Sequence, residues 1–550
     1  NLHLNTRRNG TSGKFEIKRV MPRQNEQVNE IWICDKGRFG HHFTASPDRL
    51  TAPLVRNVAT GKLEEATWED ALNAIASQLK AANGSVAGLA GGRLSNEDQF
   101  AFNKLVTGLG GRVALNSGMG GGDLIQKVGI GAGSNFGDMG AGTTILVVAS
   151  DLEEEAPVWW LRVKQATERG ASLIVVNARP TKLDRYATQK ITYQYGDEVS
   201  AVDGLAEAAK AENLVILFGG EGMDFAASSA LAGACANLLI STKHVGRPNN
   251  GLIAVWEDAN TQGAWDMGVR PTSGTLPDPS VLMIAATDPV GDGLPLPKAG
   301  FMVVSELFLT ATAQAADVVL PAQAFTEREG TFTSGERRVQ RFYPAVPPVG
   351  QSRADWQIFS QIGERVGQGK AQPGAAAIMV EIGKSVPEYA GISYQSLAKV
   401  EKQTPDVGGL DLYFGGTAYQ NKAGLGVQYP TAADRGEAVA MVAVTGNGRS
   451  HDGKLVAVPI TLLYDRGTTF FRTEMMRPRM PLPFVEINSA DAAKLGVKDG
   501  EMIALTAGGK EMQVKARVDG RAPAGAVLVP QSLGGPVLAG AVEIAIRKTV

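Results

Sequence analysis

Apolar and polar residues recur along this chain with two different periods, and the periods mark its elements. From Thr67 the spacing is helical. Trp68, Ala71, Leu72, Ile75, Ala76 and Leu79 share one face, and Thr67 with Asp70 three residues on forms an N-terminal cap. A short apolar run, Val86 to Ala90, leads into a second helix. Ser95 caps it, Phe102, Leu105, Val106 and Leu109 face inward, and Gly110-Gly111 stops it. Residues 144–149 read as a buried strand. Pro157 fits the first turn of the next helix, Gly170 ends it, and Ser172 to Val176 is another strand. Residues 214–218, 281–286, 301–305 and 317–320 read the same way. The Ala-rich stretch 225–239 reads as a helix, and Trp356, Ile358, Phe359 and Ile362 mark a closing one. Continuous apolar strands alternating with helices point to parallel sheets covered on both faces.

The expected fold is therefore α/β, with two tandem doubly wound domains over residues 51–205 and 206–365. Residues 366–450 carry scattered Gly, Gln and Pro and read as an insertion or connection. Over 451–550 the pattern is all-β, with strands at 455–463, 502–506, 512–518 and 526–529. One short helix there, 490–495, is read as capped by Ser489 and ended by Gly496. The whole suggests a small barrel. Residues 1–50 are mostly irregular, apart from the alternating segment Lys14 to Val20.

Composition narrows the picture. The 550 residues are 44% hydrophobic and 20% charged, the balance of a globular protein. A net charge of −2, from 54 basic and 56 acidic residues, gives no reason to expect a nucleic-acid partner. Two distant cysteines argue against a disulfide framework and for a reducing compartment. The start shows no charged-then-apolar leader, and Asn1 in first position reads as a fragment or a processed chain. The longest apolar runs are strand-sized, so any membrane role is expected to come through partners.

The candidate chemistry begins at Cys34, in Ile33-Cys34-Asp35-Lys36-Gly37-Arg38-Phe39-Gly40. Taken alone it is either a metal ligand or a buried thiol. Cys235, inside the Ala-rich helix, reads as core packing. Five histidines show no zinc spacing, and His41-His42 are adjacent. Gly118-Met119-Gly120-Gly121-Gly122 is not a dinucleotide fingerprint, since no strand is expected to lead straight into it and no helix to start at its end.

Together, Cys34 to Gly40, Ser46-Pro47-Asp48-Arg49-Leu50, Asn260-Thr261-Gln262-Gly263-Ala264, the 312–322 stretch Thr-Ala-Gln-Ala-Ala-Asp-Val-Val-Leu-Pro-Ala and Gly335-Glu336-Arg337-Arg338-Val339-Gln340 resemble the molybdopterin oxidoreductase superfamily. Within it they are similar to the C-terminal portion of the large iron–sulfur subunit of bacterial NADH-quinone oxidoreductase, respiratory complex I. The resemblance covers nearly the whole chain. It implies that Cys34 is the fourth ligand of an accessory [4Fe-4S] cluster whose other three cysteines lie upstream. Residues 1–50 would then be the remnant of an iron–sulfur domain, and the cluster site is incomplete in this chain. Lys36 would lie between cluster and pterin and help electron passage, and Lys36 and Arg38, as cations beside the cluster, would raise its potential; otherwise both are solvated or ion-paired charges.

The resemblance also implies a pterin site, and here the residues depart from the pattern. The Gly-rich segment 116–142 has no cysteine to ligate molybdenum; only Ser117 and Asp123 stand in its place. After the 144–149 strand comes Ser150-Asp151-Leu152-Glu153-Glu154-Glu155, whose four carboxylates repel a diphosphate. Arg179 and Thr181, in Asn177-Ala178-Arg179-Pro180-Thr181, remain as vestigial cofactor contacts, and Thr287-Asp288-Pro289 keeps a related turn. The expectation is a scaffold and electron-transfer portion of complex I with the molybdopterin guanine dinucleotide lost. It would be catalytic only within the assembly. Its expected partners are the other peripheral-arm subunits, including the flavoprotein that binds NADH, at the cytoplasmic face of the bacterial inner membrane. The rival expectation is a working molybdenum or tungsten oxidoreductase of the formate dehydrogenase or nitrate reductase type, using Ser117, Asp123 or an inorganic ligand.

Overall fold

Strand pairing over long sequence distances sets the architecture. The computed structural model describes residues 1–205, 210–274, 276–399, 410–411, 417–418, 425–444, 454–507, 509–534 and 538–548. The chain forms two compact units, Asn1–Ser117 with Asp258–Tyr429, and Gly118–Glu257 with Pro430–Val550.

The first unit is built on a seven-stranded sheet. In spatial order its strands are Leu63–Glu65, Leu54–Arg56, Val318–Pro321, Phe301–Glu306, Val281–Ala285, Val86–Ala90 and Arg112–Leu115. The last five run parallel, and the first two form an antiparallel edge. Strand order reverses between the Val86 and Val281 strands. The helices Trp68–Ala81, capped by Thr67, and Asn96–Gly108, with a capping box at Ser95, arise where the apolar spacing places them. The helix Asp355–Arg365 packs on the Asn96 helix, with Phe102 stacked on Phe359 at 4.6 Å between ring centroids. A hairpin, Leu2–Arg8 with Phe15–Pro22, precedes the Cys34 segment.

The second unit holds a five-stranded parallel sheet in the order Gly251–Ala254, Asn213–Phe218, Thr143–Val148, Ser172–Val176, Gln189–Ile191. Its order reverses between the Thr143 and Asn213 strands, which are paired with Ile145 opposite Val215. All six residues of the Thr143 strand are buried, as expected of a strand covered on both faces. A closed barrel completes this unit, in the order Val456–Ile460, Ala526–Pro530, Phe484–Ile487, Lys510–Val518, Met502–Ala507, Val542–Lys548. Val458, Ile460 and Leu528 of the barrel share one core with Met223, Leu231 and Leu239.

Three sequence expectations change. The α/β class and the barrel stand, but a boundary at 205/206 cuts through the five-stranded sheet, whose strands run from Thr143 to Ala254. One α/β unit is inserted into the other, because the Val86 strand pairs with the Val281 strand rather than with its sequence neighbours at 143–176. The 366–450 stretch is not a loose connection where it is described: Ile378, Met379, Ile382, Tyr389, Leu397 and Tyr429 form a buried cluster of the first unit. The short barrel helix, Ser489–Leu495, is capped by Asn488, whose side chain accepts from Ala490 N, and Gly496 closes it in a left-handed conformation.

A strand, Arg112–Leu115, ends just before the Gly118 loop, and a helix, Gly122–Val128, starts at its end, against expectation. The strand belongs to one unit and the helix to the other. Among the described residues no helix is long and apolar enough to cross a membrane.

Candidate functional site

Ligands of open α/β sheets settle where the strand order reverses, at the carboxyl ends of the strands. In the second unit that point lies beyond Val148 and Phe218, and three loops bring ionised side chains to it. Arg179 comes from the turn after the Ser172 strand. It is clasped from two sides: Nε and Nη2 donate to Glu221 at 2.9 and 2.6 Å, and Nη1 donates to Asp151 at 2.9 Å. The Tyr195 hydroxyl donates to Glu221 at 2.8 Å. The side chains of Arg179 and Glu221 are each 1% exposed and that of Asp151 6%. Burial disfavours the guanidinium charge, but Glu221 and Asp151 outweigh it and hold Arg179 cationic.

Glu155 closes the group. It accepts from Ser150 Oγ at 2.8 Å and from Asp151 N at 3.1 Å, and no cation pairs with it among the described residues. The residue as a whole is half-buried, but its carboxyl end lies deep among protein atoms. Burial first, then Glu221, pushes it up to about 8. One guanidinium therefore pairs with two of the three carboxyls, and the third keeps its proton at neutral pH.

The Ser150–Glu155 run is consequently not the exposed repulsive cluster that charge counting implies. Asp151 pairs with Arg179, Glu154 accepts from Leu463 N at 2.9 Å, and Glu153 pairs with Lys182 at 2.5 Å. Thr181 is also committed locally: its hydroxyl and amide both donate to Asp184 in a capping box. The sequence reading missed Glu221 and Tyr195. The signal for Glu221 was Gly219-Gly220-Glu221 directly after an apolar strand, the counterpart of Ser150-Asp151 on the neighbouring strand.

In the first unit, the turn at Thr287-Asp288-Pro289 follows the Val281 strand, at that sheet's own reversal. Thr287 accepts from Asn116 Nδ2 at 2.6 Å, and Asp288 accepts from Thr312 N and Oγ1 at 2.8 and 2.7 Å. Asp292 is pushed up to about 6 by burial and then by Asp288 and Asp258. Cys34, also in this unit, caps the helix Asp35–Phe39, its half-buried sulfur accepting from Gly37 N at 3.4 Å. Arg38 reaches Met21 Sδ at 3.8 Å, and Lys36 is half-exposed. The His41 and His42 rings lie 4.2 Å apart between centroids, tilted by 32°, and burial, then His42, holds His41 down to about 4, so it is neutral at pH 7. Of the two Mo-ligand candidates, Ser117 belongs to the first unit. Asp123 belongs to the second, where it lies 4.0 Å from Lys127.

For the cluster that the resemblance implies, Cys34 is this chain's candidate ligand. A cubane cluster needs four thiolates or equivalents, and Cys235 is fully buried in the Phe225–Ser241 helix. Among the described residues no group of three His, Cys, Asp or Glu is placed to hold a metal. A diphosphate at the second unit's reversal would meet a guanidinium already neutralised by two carboxylates.

The topology and the barrel are those of a known class, and comparison with known proteins gives the same result. Residues 49–365 match the molybdopterin oxidoreductase family, and the chain belongs to it. Residues 463–545 match the molydopterin dinucleotide binding domain, and residues 10–42 the 4Fe-4S domain of the NADH-ubiquinone oxidoreductase NDSU1/NuoG-like type. Among sequence relatives, YjgC of Bacillus subtilis is 26% identical over 96% of this chain and 64% of its own length. A formate dehydrogenase α subunit of Methanococcus maripaludis is 26% identical over 90% of this chain and 88% of its own. The NADPH-Fe(3+) oxidoreductase α subunit of Geobacter sulfurreducens is 26% identical over 92% and 67%. The chain thus spans less than two thirds of YjgC. Acetylene hydratase of Pelobacter acetylenicus shares the fold, with a TM-score of 0.67 at 14% identity over 99% of this chain and 98% of that one.

Proposed function

We propose that this chain is a portion of the large iron–sulfur subunit of an NADH-quinone oxidoreductase, serving as scaffold and electron-transfer support in the peripheral arm. In this reading Cys34 supplies one ligand of an accessory [4Fe-4S] cluster, and the molybdopterin site is degenerate. The observation that carries it is the clasp of Arg179 by Asp151 and Glu221: the buried guanidinium at the sheet's reversal is spent on the protein's own carboxylates. The NuoG-like match over residues 10–42 supports the same reading. Its partners are the other peripheral-arm subunits, among them the NADH-binding flavoprotein, and through them it lies at the cytoplasmic face of the inner membrane.

A second reading has an observation of its own. A formate dehydrogenase α subunit aligns over 90% of this chain, which favours a working molybdenum or tungsten oxidoreductase. Metal analysis of the native assembly separates the two. The first expects iron, with molybdenum and tungsten near zero, and a [4Fe-4S] EPR signal lost in Cys34→Ala. Near-stoichiometric molybdenum or tungsten overturns it.

A further inference from the structure

The first unit holds a second place where carboxylates outnumber cations, at the carboxyl ends of the Val86 and Phe301 strands. It lies where the Asp355–Arg365 helix meets the Asn96–Gly108 helix and the Phe301–Glu306 strand. Glu97, Asp98, Glu306 and Asp355 are all buried there. Arg328 pairs with Asp98, and Arg93 pairs with Glu306 at 2.7 Å. Glu97 and Asp355 have only neutral donors among the described residues. Glu97 accepts from Thr331 N at 2.8 Å and from Tyr394 OH at 2.9 Å; Asp355 accepts from Ser305 Oγ at 2.7 Å.

Asp98 and Asp355 also tie the two helices together. Trp356 N, the first free amide beyond Asp355, donates to Asp98 Oδ1 at 2.9 Å. A carboxylate of one helix thus caps the next helix, and that helix's own first carboxyl reaches back to the strand through Ser305. Arg328 pairs with Asp98, whereas Asp355 has no ion-pair partner of its own among the described residues.

We propose that the Asp355 carboxyl acts as a proton-operated latch, pinning the start of the Asp355–Arg365 helix to the Asn96 helix and the Phe301 strand while it is protonated. Loss of the proton places a second negative charge beside Asp98, and the helix start is released. The groups facing Asp355 are Asp98 from the Asn96 helix, Ser305 and Glu306 from the strand, and Arg328 from the loop before Gly330. Burial first, then Asp98, pushes the Asp355 carboxyl well above the ordinary carboxylate range, against the pull of Arg328 and Ser305. The helix dipole favours a negative charge at this end, but that effect is smaller than the cost of a buried, uncompensated carboxylate. The latch requires no cofactor and stands whichever functional reading holds.

Hydrogen exchange of peptides covering 355–365, measured on the whole chain and corrected for the intrinsic chemical rate, tests this. The expected result is a rise of roughly tenfold or more between about pH 6 and about pH 8.5 in the wild type, and little change in Asp355→Asn. Ser305→Ala removes a donor that favours the ionised form, so its rise moves to higher pH. This variant keeps the test open if Asp355→Asn does not fold. Glu97→Gln retains the rise. A flat wild-type profile, an equal rise in Asp355→Asn, or an unmoved midpoint in Ser305→Ala overturns the latch.

Discussion

Replacing Arg179 by Gln removes the guanidinium that pairs with the two buried carboxylates Asp151 and Glu221, and the size of the effect follows from the geometry. Breaking a buried ion pair from one side costs about 3–5 kcal/mol, because the remaining charge is left without water or partner. A second route gives a similar figure. The cheapest repair is to protonate a freed carboxylate, and at pH 7 a group with an ordinary value near 4 needs about three units at roughly 1.4 kcal/mol each, ~4 kcal/mol. Tyr195 still donates to Glu221 and softens the loss, whereas Asp151 loses its guanidinium partner outright. A chain of two units does not unfold in one step, so the readout is local: hydrogen exchange of the Thr143–Val148, Ser172–Val176 and Asn213–Phe218 strands. About 4 kcal/mol predicts exchange faster by roughly a thousandfold at pH 7. The deficit shrinks towards pH 5, because the freed carboxyls then protonate at less cost. An acceleration under about tenfold at pH 7, or one independent of pH, refutes the assignment of Arg179 as the charge that holds these loops together.

Three further outcomes are expected. Glu155→Gln flattens the pH dependence of the same strands: the folded carboxyl sits at about 8 against an ordinary 4.5, so its linked stability is present at low pH and is lost as pH rises through that window, which opening free energies from pH 5 to 8 will show. Gly91→Ala destabilises the first unit by about 2–3 kcal/mol or more, because a Cβ there would lie 2.1 Å from the carbonyl oxygen of Ala286, a backbone atom that cannot rotate away; exchange of the Val86 and Val281 strands reads it. Asp151→Asn combined with Glu221→Gln frees Arg179, and calorimetry with inorganic pyrophosphate is expected to detect binding to the variant and none to the wild type. Equal behaviour of the two proteins would mean that the clasp does not exclude the anion.

Local structure was legible in the sequence wherever it is decided locally. Thr67 and Ser95 cap the helices they precede, Pro157 opens its helix, and Gly170 and Gly496 take the left-handed turn that ends one. Barrel strands at 502–506, 512–518 and 526–529 were visible from their alternation, but Phe484–Ile487 and Val542–Lys548, which close the barrel, were not singled out. The assignment of strands to sheets was not legible. A buried parallel strand carries an apolar run that fits any neighbour, so the Val86 strand bears no mark that it pairs with the Val281 strand across nearly two hundred residues.

The same limit explains the site. Counting charges along Ser150–Glu155 gives four carboxylates and a repulsive loop, and the count is correct. What a count cannot supply is the partner. Arg179 was read as a cation left from a former ligand site, and Asp151 as a charge that keeps a ligand out; in the structure they belong to one ion pair, with Glu221 from a third loop completing it. Each of these residues follows a different strand of one parallel sheet. Once strand order brings three carboxyl ends to one point, their side chains must either share an external ion or neutralise one another. With the guanidinium donating to both carboxylates at 2.6 to 2.9 Å, and the third carboxyl keeping its proton, this chain does the second. The charge balance at this strand reversal is therefore set by Glu221, which the sequence reading passed over.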